Sequence, residues 1–155
     1  MSTDRVCFIM RGLPGSGKSF EARLLALRFA AVVCSADDFR YDAEGNYIFI
    51  AKDNALAHAR CYLKFAEAIQ AGHNVVVDNT NIRRWEFEKY MDLAKKAGYS
   101  VTILAPPTPW AWDVKECARR TVHGVPEDVI ARMLQNFQGN TYQDDVKAVA
   151  ISERS

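Results

Sequence analysis

Short unbroken apolar runs alternate along this chain with longer stretches in which apolar residues recur every three or four positions. Val6-Cys7-Phe8-Ile9-Met10 lies between charged residues and a glycine, the pattern of a strand buried on both faces. From Ser19 the period becomes helical, with Leu24, Leu25, Leu27 and Phe29 on one face, and Val32-Val33-Cys34 then predicts a second strand. Residues 37–54 mix acids, aromatics and a Gly-Asn turn signal, which predicts irregular connection with room for one short element. Asp53 can cap a helix with apolar positions Leu56, Ala59, Leu63, Ala66 and Ile69 and a left-handed stop at Gly72. Val75-Val76-Val77-Asp78 predicts a third strand. A helix carrying Phe87, Tyr90, Met91 and Ala94 stops at Gly98, and residues 100–105 predict a fourth strand. Three prolines, Pro106, Pro107 and Pro109, delay regular structure until a helix over about 110–122. Pro126 opens a last helix carrying Val129, Ile130, Met133, Leu134 and Phe137.

Strands separated by helices imply an α/β fold: three αβα layers, a central mainly parallel sheet of four to five strands and a short helical lid. Residues 1–140 read as one domain, and the polar, unpatterned residues 141–155 as a tail with little core contact. Such sheets bind ligands at the carboxyl ends of their strands. Residues 12–19, 35–40 and 78–81 and the proline-rich turn before Trp110 are therefore the candidates.

The composition narrows the class. The 155 residues are 49% apolar, enough for one core, and 20 Lys+Arg against 19 Asp+Glu leave a net charge of +1. That balance fits neither a disordered chain nor a basic nucleic-acid arm, so a nucleic-acid partner must be held by a local patch. No apolar stretch approaches the roughly 20 residues of a membrane span, and the first apolar segment is too short for a secretory signal. Cys7, Cys34, Cys61 and Cys117 lie far apart with no C-x-x-C pair, which predicts neither zinc nor disulfides and a reducing cytoplasm as the location.

Gly12-Leu13-Pro14-Gly15-Ser16-Gly17-Lys18-Ser19 matches the phosphate loop G-x-x-x-x-G-K-[ST] between a predicted strand and a predicted helix. Gly15 and Gly17 let backbone N–H groups turn inward around a phosphate, and the helix N-terminus adds partial positive charge. Lys18 suits the β- and γ-phosphates of ATP, and the Ser19 hydroxyl suits Mg²⁺. Gly12, Pro14 and Ser16 complete the donor-binding loop. No N-K-x-D is present for guanine, and Asp78 is followed by Asn79-Thr80-Asn81 instead of x-x-G. A GTPase or a large motor is therefore not indicated, which leaves a small phosphotransferase.

Ser35-Ala36-Asp37-Asp38-Phe39-Arg40 follows the second strand, where one of two adjacent acids can orient an acceptor hydroxyl while the other caps a turn. Arg119 and Arg120, late in a helix, can fold over phosphates or simply favour the helix dipole. Tyr41, Tyr47 and Phe49 are candidates for stacking on a base; Arg83 and Arg84 are candidates for acceptor phosphates. His58 reads as a core histidine and His123 as a structural residue at a helix break. Trp85, Trp110 and Trp112 read as packing.

The combination of Arg11 with the loop through Ser19, Ser35-Ala-Asp-Asp-Phe39, Ala57-His58 with Cys61, Val76-Val-Asp-Asn-Thr-Asn81 with Trp85 and Tyr90, and Arg119-Arg-Thr-Val-His-Gly-Val-Pro126 resembles the polynucleotide-kinase-like P-loop kinases. That group includes the kinase domains of phage and animal polynucleotide kinases and the related domains of Nedd4-binding proteins. The resemblance spans about residues 5–137. It implies a P-loop kinase fold with ATP as donor and Asp37 as general base. Arg40 falls near the acceptor through the phage pattern D-D-[YF]-R, and a lid arginine comes from Arg119 or Arg120, with Arg120 the catalytic candidate beside Lys18. It also implies that residues 78–81 line the site. Asn79 stands where the phage enzyme has an acid, which leaves Asp78 as the carboxylate available for Mg²⁺ with Ser19. The acceptor side then comprises Asp37, Asp38, Arg40, Tyr47, Asn79, Thr80, Asn81 and Arg83. No H-x-T or H-x-S pair is present, which excludes the phosphodiesterase half that some relatives carry, and no phosphatase domain fits this length. The expectation is an ATP- and Mg²⁺-dependent kinase acting on a hydroxyl of a nucleic acid, a 5′-hydroxyl end or a hydroxymethyl base, encoded by a phage and active in the host cytoplasm. A metabolite kinase and a non-catalytic ATP-binding module are the competing classes.

Overall fold

Alternation of side chains along the first strand decides how the layers stack. In the computed structural model, which describes residues 4–139 and 147–148, β1 (Val6–Met10) sends Cys7 and Ile9 into one apolar cluster and Phe8 and Met10 into another. Helices must therefore cover both faces. α1 (Lys18–Phe29) covers the Phe8 side with Ala22 and Leu25. α2 (Asn54–Gln70) and α3 (Arg84–Lys96) cover the other with Cys61, Phe65, Phe87 and Tyr90. Parallel pairing of β2 (Val32–Cys34), β3 (Val75–Asp78), β4 (Ser100–Ala105) and β5 (Lys147–Ala148) gives the order β2-β3-β1-β4-β5. This is the expected three-layer α/β architecture. α4 (Val114–Arg120) and α5 (Glu127–Gly139) form the short helical lid, packed through Cys117, Ile130 and Phe137 against Leu13 and Ile82.

Chain direction at the sheet centre places the site. α1 leaves β1 toward one face, whereas α3 leaves β3 toward the other, so the carboxyl ends of these adjacent strands open into a crevice. The phosphate loop and Asp78 sit on its two lips.

Several expectations shift in detail. The buried face of α2 is Ala57, Cys61, Phe65, Ala68 and Ile69, which apart from Ile69 lies one or two positions on from the predicted stripe, while Leu56 and Leu63 are exposed. Ala59 is exposed as well; only Ile69 of the predicted set is buried. Both stripes have helical spacing, and the aromatic Phe65 wins the core because it buries more apolar area than a leucine. The predicted stop at Gly72 forms, with φ 78°. The helix expected over about 110–122 starts only at Val114, because the Asp113 side chain accepts the Glu116 N–H and caps it. Residues 36–53 contain two 3₁₀ turns, Ala36–Phe39 and Ala51–Asp53, and an antiparallel bridge between Tyr41 and Tyr47. β5 gives the tail a strand pairing beside β4 that its polar composition does not announce; the other residues of 140–155 lie outside the described residues. Trp85, expected to pack, is 70% exposed.

The choice of α2 face is open to a direct test. Phe65→Ala is expected to cost about 3–5 kcal/mol, whereas Leu63→Gln stays within about 0.5 kcal/mol of the parent in denaturant unfolding.

Candidate functional site

The phosphate loop turns through two left-handed glycines, Gly15 at φ 78° and Gly17 at φ 96°, and enters α1 at Lys18. Conformational freedom is only half of their role. A Cβ on Gly15 would stand 2.1 Å from the Cys117 carbonyl oxygen, and one on Gly17 2.7 Å from the Thr108 methyl. The proline-rich turn and α4 thus press directly on the outside of the loop. Thr108 Oγ1 donates to the Ser16 carbonyl at 2.6 Å and Trp110 Nε1 to the Gly15 carbonyl at 3.1 Å. With these carbonyls held on the outside, the loop N–H groups other than those of Gly12 and Ser16, which bond the Thr80 and Leu13 carbonyls, are left for an anion. The Ser16 hydroxyl is 1% exposed and has no hydrogen-bond partner among the described residues, a buried polar atom suited to a bound phosphate.

Lys18 Nζ donates to Asp78 Oδ1 across the crevice at 3.4 Å, both side chains being nearly buried. The loop after β3 is held by backbone and side-chain bonds alike. Gly12 N–H donates to the Thr80 carbonyl at 3.0 Å, and Asn81, at φ 48°, donates through Nδ2 to the Met10 carbonyl at 2.8 Å. Arg11, which is fully buried, lies between the rings of Phe87 and Phe137 and donates to the Asn81 and Ile82 carbonyls at 2.6 and 2.7 Å. Asn79 accepts the Ala36 N–H at 2.9 Å and donates to Cys61 Sγ at 3.6 Å. The side chains of Asn79 and Asn81 are therefore spent on bracing, and Thr80 contributes its carbonyl.

That Ala36–Asn79 bond ties the turn after β2 to the end of β3. Ser35 accepts the Asp37 N–H and starts the 3₁₀ turn that presents the two acids. Asp37 Oδ1 accepts from Arg40 Nε at 3.0 Å and from the Tyr47 hydroxyl at 3.1 Å, and its side chain is half exposed. Arg40 also donates to Asn54 Oδ1 at 2.6 Å and lies over the Phe49 ring. Burial, with the neighbouring Asp37 charge, pushes the Tyr47 phenol up to about 12, so it stays a donor. Desolvation raises the Asp38 carboxyl, opposed by Lys64 and reinforced by Asp78 and Asp37. Burial and then the charges of Arg40 and Lys89 hold the His58 imidazole below its ordinary range.

No group of three His, Cys, Asp or Glu side chains among the described residues could hold a metal alone. Mg²⁺ does not need one, because it keeps waters and takes one or two protein oxygens besides substrate phosphates. The exposed Ser19 hydroxyl and the Asp78 carboxylate fit that requirement.

The family model for the AAA domain matches residues 7–139. The chain belongs to this family. Within it, the polynucleotide-kinase-like resemblance is sustained by human NEDD4-binding protein 2, 40% identical over 135 residues, which are 86% of this chain and 8% of that protein. A polynucleotide phosphatase/kinase of Acanthamoeba polyphaga mimivirus is 31% identical over 102 residues, 65% of this chain and 20% of the other. This chain therefore spans a minor part of the length of both. Among solved structures, the Pnkp1/Rnl/Hen1 RNA repair complex contains a chain similar at TM-score 0.70 and 20% identity, over 90% of this chain and 46% of that one. A gluconokinase from Sinorhizobium meliloti 1021 is similar at TM-score 0.64 and 16% identity, over 98% and 88%. At such identities the likeness to solved structures concerns the fold. No helix among the described residues of this AAA domain is long and apolar enough to cross a membrane.

In this AAA domain the lid arginines are held within α4. Arg119 and Arg120 both donate to Glu116, which drops its carboxyl to about 2, and Arg120 covers the Trp110 ring at 3.7 Å. Trp110 in turn holds Gly15, so Arg120 stands one side chain removed from the phosphate loop. Arg83 lies exposed at the start of α3, where its N–H bonds Glu86. The proline-rich turn is a candidate from the sequence and Arg11 belongs to the family motif, but Trp110 reads there as packing, and the bracing by Arg11, Thr108 and Trp110 is visible only in the fold. The only sequence signals are the arginine directly before the loop and the prolines around Thr108.

Gly15→Ala is expected to cost about 2–3 kcal/mol in denaturant melts and to abolish ATP binding, since strain and the Cys117 clash act together. The low His58 pKa gives a sign for acid stability: the unfolded imidazole takes its proton first. Stability is therefore full above the ordinary value of 6.5 and declines as pH falls through and below it. His58→Gln is expected to flatten that part of a stability–pH curve.

Proposed function

We propose that this AAA domain protein is an ATP-dependent phosphotransferase that moves the γ-phosphoryl group to a hydroxyl of a nucleic acid, with 5′-hydroxyl ends as the preferred acceptor. The observation that carries this reading is the pairing of two half-sites on neighbouring strand ends. Lys18 and Asp78 meet in the crevice at 3.4 Å, and Asp37 is held at the end of β2 by Arg40 and Tyr47 with half its side chain open to solvent.

In this reading the loop N–H groups and the start of α1 hold the β-phosphate, and Lys18 swings from Asp78 to the β- and γ-phosphate oxygens. Asp37 orients the acceptor O–H. The acceptor oxygen bonds to the γ-phosphorus as the bond from that phosphorus to the ADP oxygen breaks, the proton passes to Asp37, and ADP leaves. Arg40 keeps the Asp37 carboxylate in position. Mg²⁺, bound through Ser19 and Asp78, would screen the phosphate charge. Arg120, released from Glu116, is the cation for charge building on the transferring group, and Arg119 backs it at the nucleotide. Asp38, Thr80 and Arg83 edge the acceptor path, where the exposed rings of Tyr41, Phe49 and Trp85 suit bases.

A small-alcohol acceptor is the second reading, favoured by the near-neutral net charge and by the fold shared with a gluconokinase. Labelled ATP offered with 5′-hydroxyl oligonucleotides, nucleosides and sugars separates the two; label confined to small molecules overturns the nucleic-acid acceptor. Asp37→Asn is expected to lower transfer about 10²–10⁴-fold while ATP still binds, and Lys18→Ala about 10²–10³-fold. Undiminished transfer in Asp37→Asn removes the assigned base.

A further inference from the structure

Two aromatic rings from opposite walls of the site lie face to face. Tyr47, in the connection after β2, and His123, in the turn between α4 and α5, are stacked at 3.6 Å with 10° between planes. The Tyr47 hydroxyl donates to Asp37 Oδ1 at 3.1 Å, and Tyr41 meets the same ring edge-on at 5.5 Å. The protein thus already presents, on its own side chains, a hydroxyl at Asp37 and a planar nitrogen heterocycle stacked one ring away. A nucleoside end presents the same pair of features, an alcohol and a planar base joined by one sugar. The turn that carries His123 is open to solvent: Val122 is 90% exposed, nothing lies within 4 Å of where a Cβ on Gly124 would be, and the turn's own closing bond is from Val125 N–H to the Thr121 hydroxyl at 3.1 Å.

We propose that His123 and the Tyr47 hydroxyl hold the acceptor's place. The terminal base of a 5′-hydroxyl strand takes the face of Tyr47 from His123, and the strand's hydroxyl takes Asp37 from the Tyr47 hydroxyl. Each contact is exchanged for one of its own kind, a stack for a stack and a hydrogen bond for a hydrogen bond. This rests on the phosphotransfer reading above and adds the group that is selected: a planar base beside the reacting alcohol. His123 is then a specificity-determining residue that competes with the acceptor, because only the fraction of molecules with an open Tyr47 face is ready to bind.

The test uses the full chain, ATP and two oligonucleotides that differ only at the 5′-terminal residue, one carrying its base and one abasic. The parent protein is expected to show a KM about tenfold higher for the abasic strand, on the scale of base–aromatic stacking. Tyr47→Leu should erase most of that difference, and His123→Ala should lower KM for the base-carrying strand a few-fold. Equal KM values in the parent overturn the proposal and leave transfer to strand ends intact. If neither strand is phosphorylated, proton NMR decides. The chain has three histidines, so His123→Ala assigns the His123 ring resonance. Its ring-current shift should collapse when millimolar base-carrying oligonucleotide is added, to the position expected in Tyr47→Leu. A resonance that keeps its stacked position overturns the proposal by itself.

Discussion

The rest of the site is organised around the buried pair of Lys18 and Asp78. An ammonium left alone and buried in the crevice would carry a large desolvation cost, and so would the carboxylate. Each makes the other tolerable. The pair can form only where the strand bearing the phosphate loop and the strand bearing the acid are neighbours whose helices leave on opposite faces. The order β2-β3-β1 supplies that arrangement. The cation is thereby stored in the crevice, and a phosphate competes for it against one carboxylate oxygen instead of against bulk water.

Around this pair the two halves of the site are built differently. The half around the phosphate loop is braced from every side: Arg11 from beneath, Thr108 and Trp110 from outside, Thr80 and Asn81 from the adjacent strand end. Its geometry is a property of the whole fold, since the braces come from three different strand ends and a helix. The half around Asp37 consists of single 3₁₀ turns, a one-bridge hairpin and rings partly open to solvent. The first of these turns packs against α2 and is bonded to Asn79, while the hairpin stands outside the sheet.

Much of this was legible in the residues because local signals agreed with the global fold. β3, β4 and the buried face of α3 come out as the pattern predicts, since uninterrupted β-branched runs and a single apolar stripe leave one choice. The phosphate loop was legible because its spacing is dictated by the anion it wraps. α2 was less so, because two adjacent stripes of equal spacing compete and only the partner surface decides between them. The bracing of the loop by Thr108 and Trp110, the Arg11 sandwich and the Tyr47–His123 stack join positions about 70 to 126 residues apart. No local periodicity encodes such pairings. The departures cluster where the chain is irregular, and those are the places where packing from elsewhere sets the backbone.

The outer brace on the phosphate loop also has a temporal side. The loop lies between residues 12 and 19, yet the groups that hold its carbonyls lie 92 and 95 positions further on, and the helix that closes against Gly15 follows them. During synthesis the amino-terminal strand and helix leave the ribosome long before their clamp exists. Loop closure over such a span is slow compared with forming a helix. The anion nest is therefore among the last parts of the molecule to set, and a nascent chain that stops short of α4 has the motif in its sequence without yet having the grip.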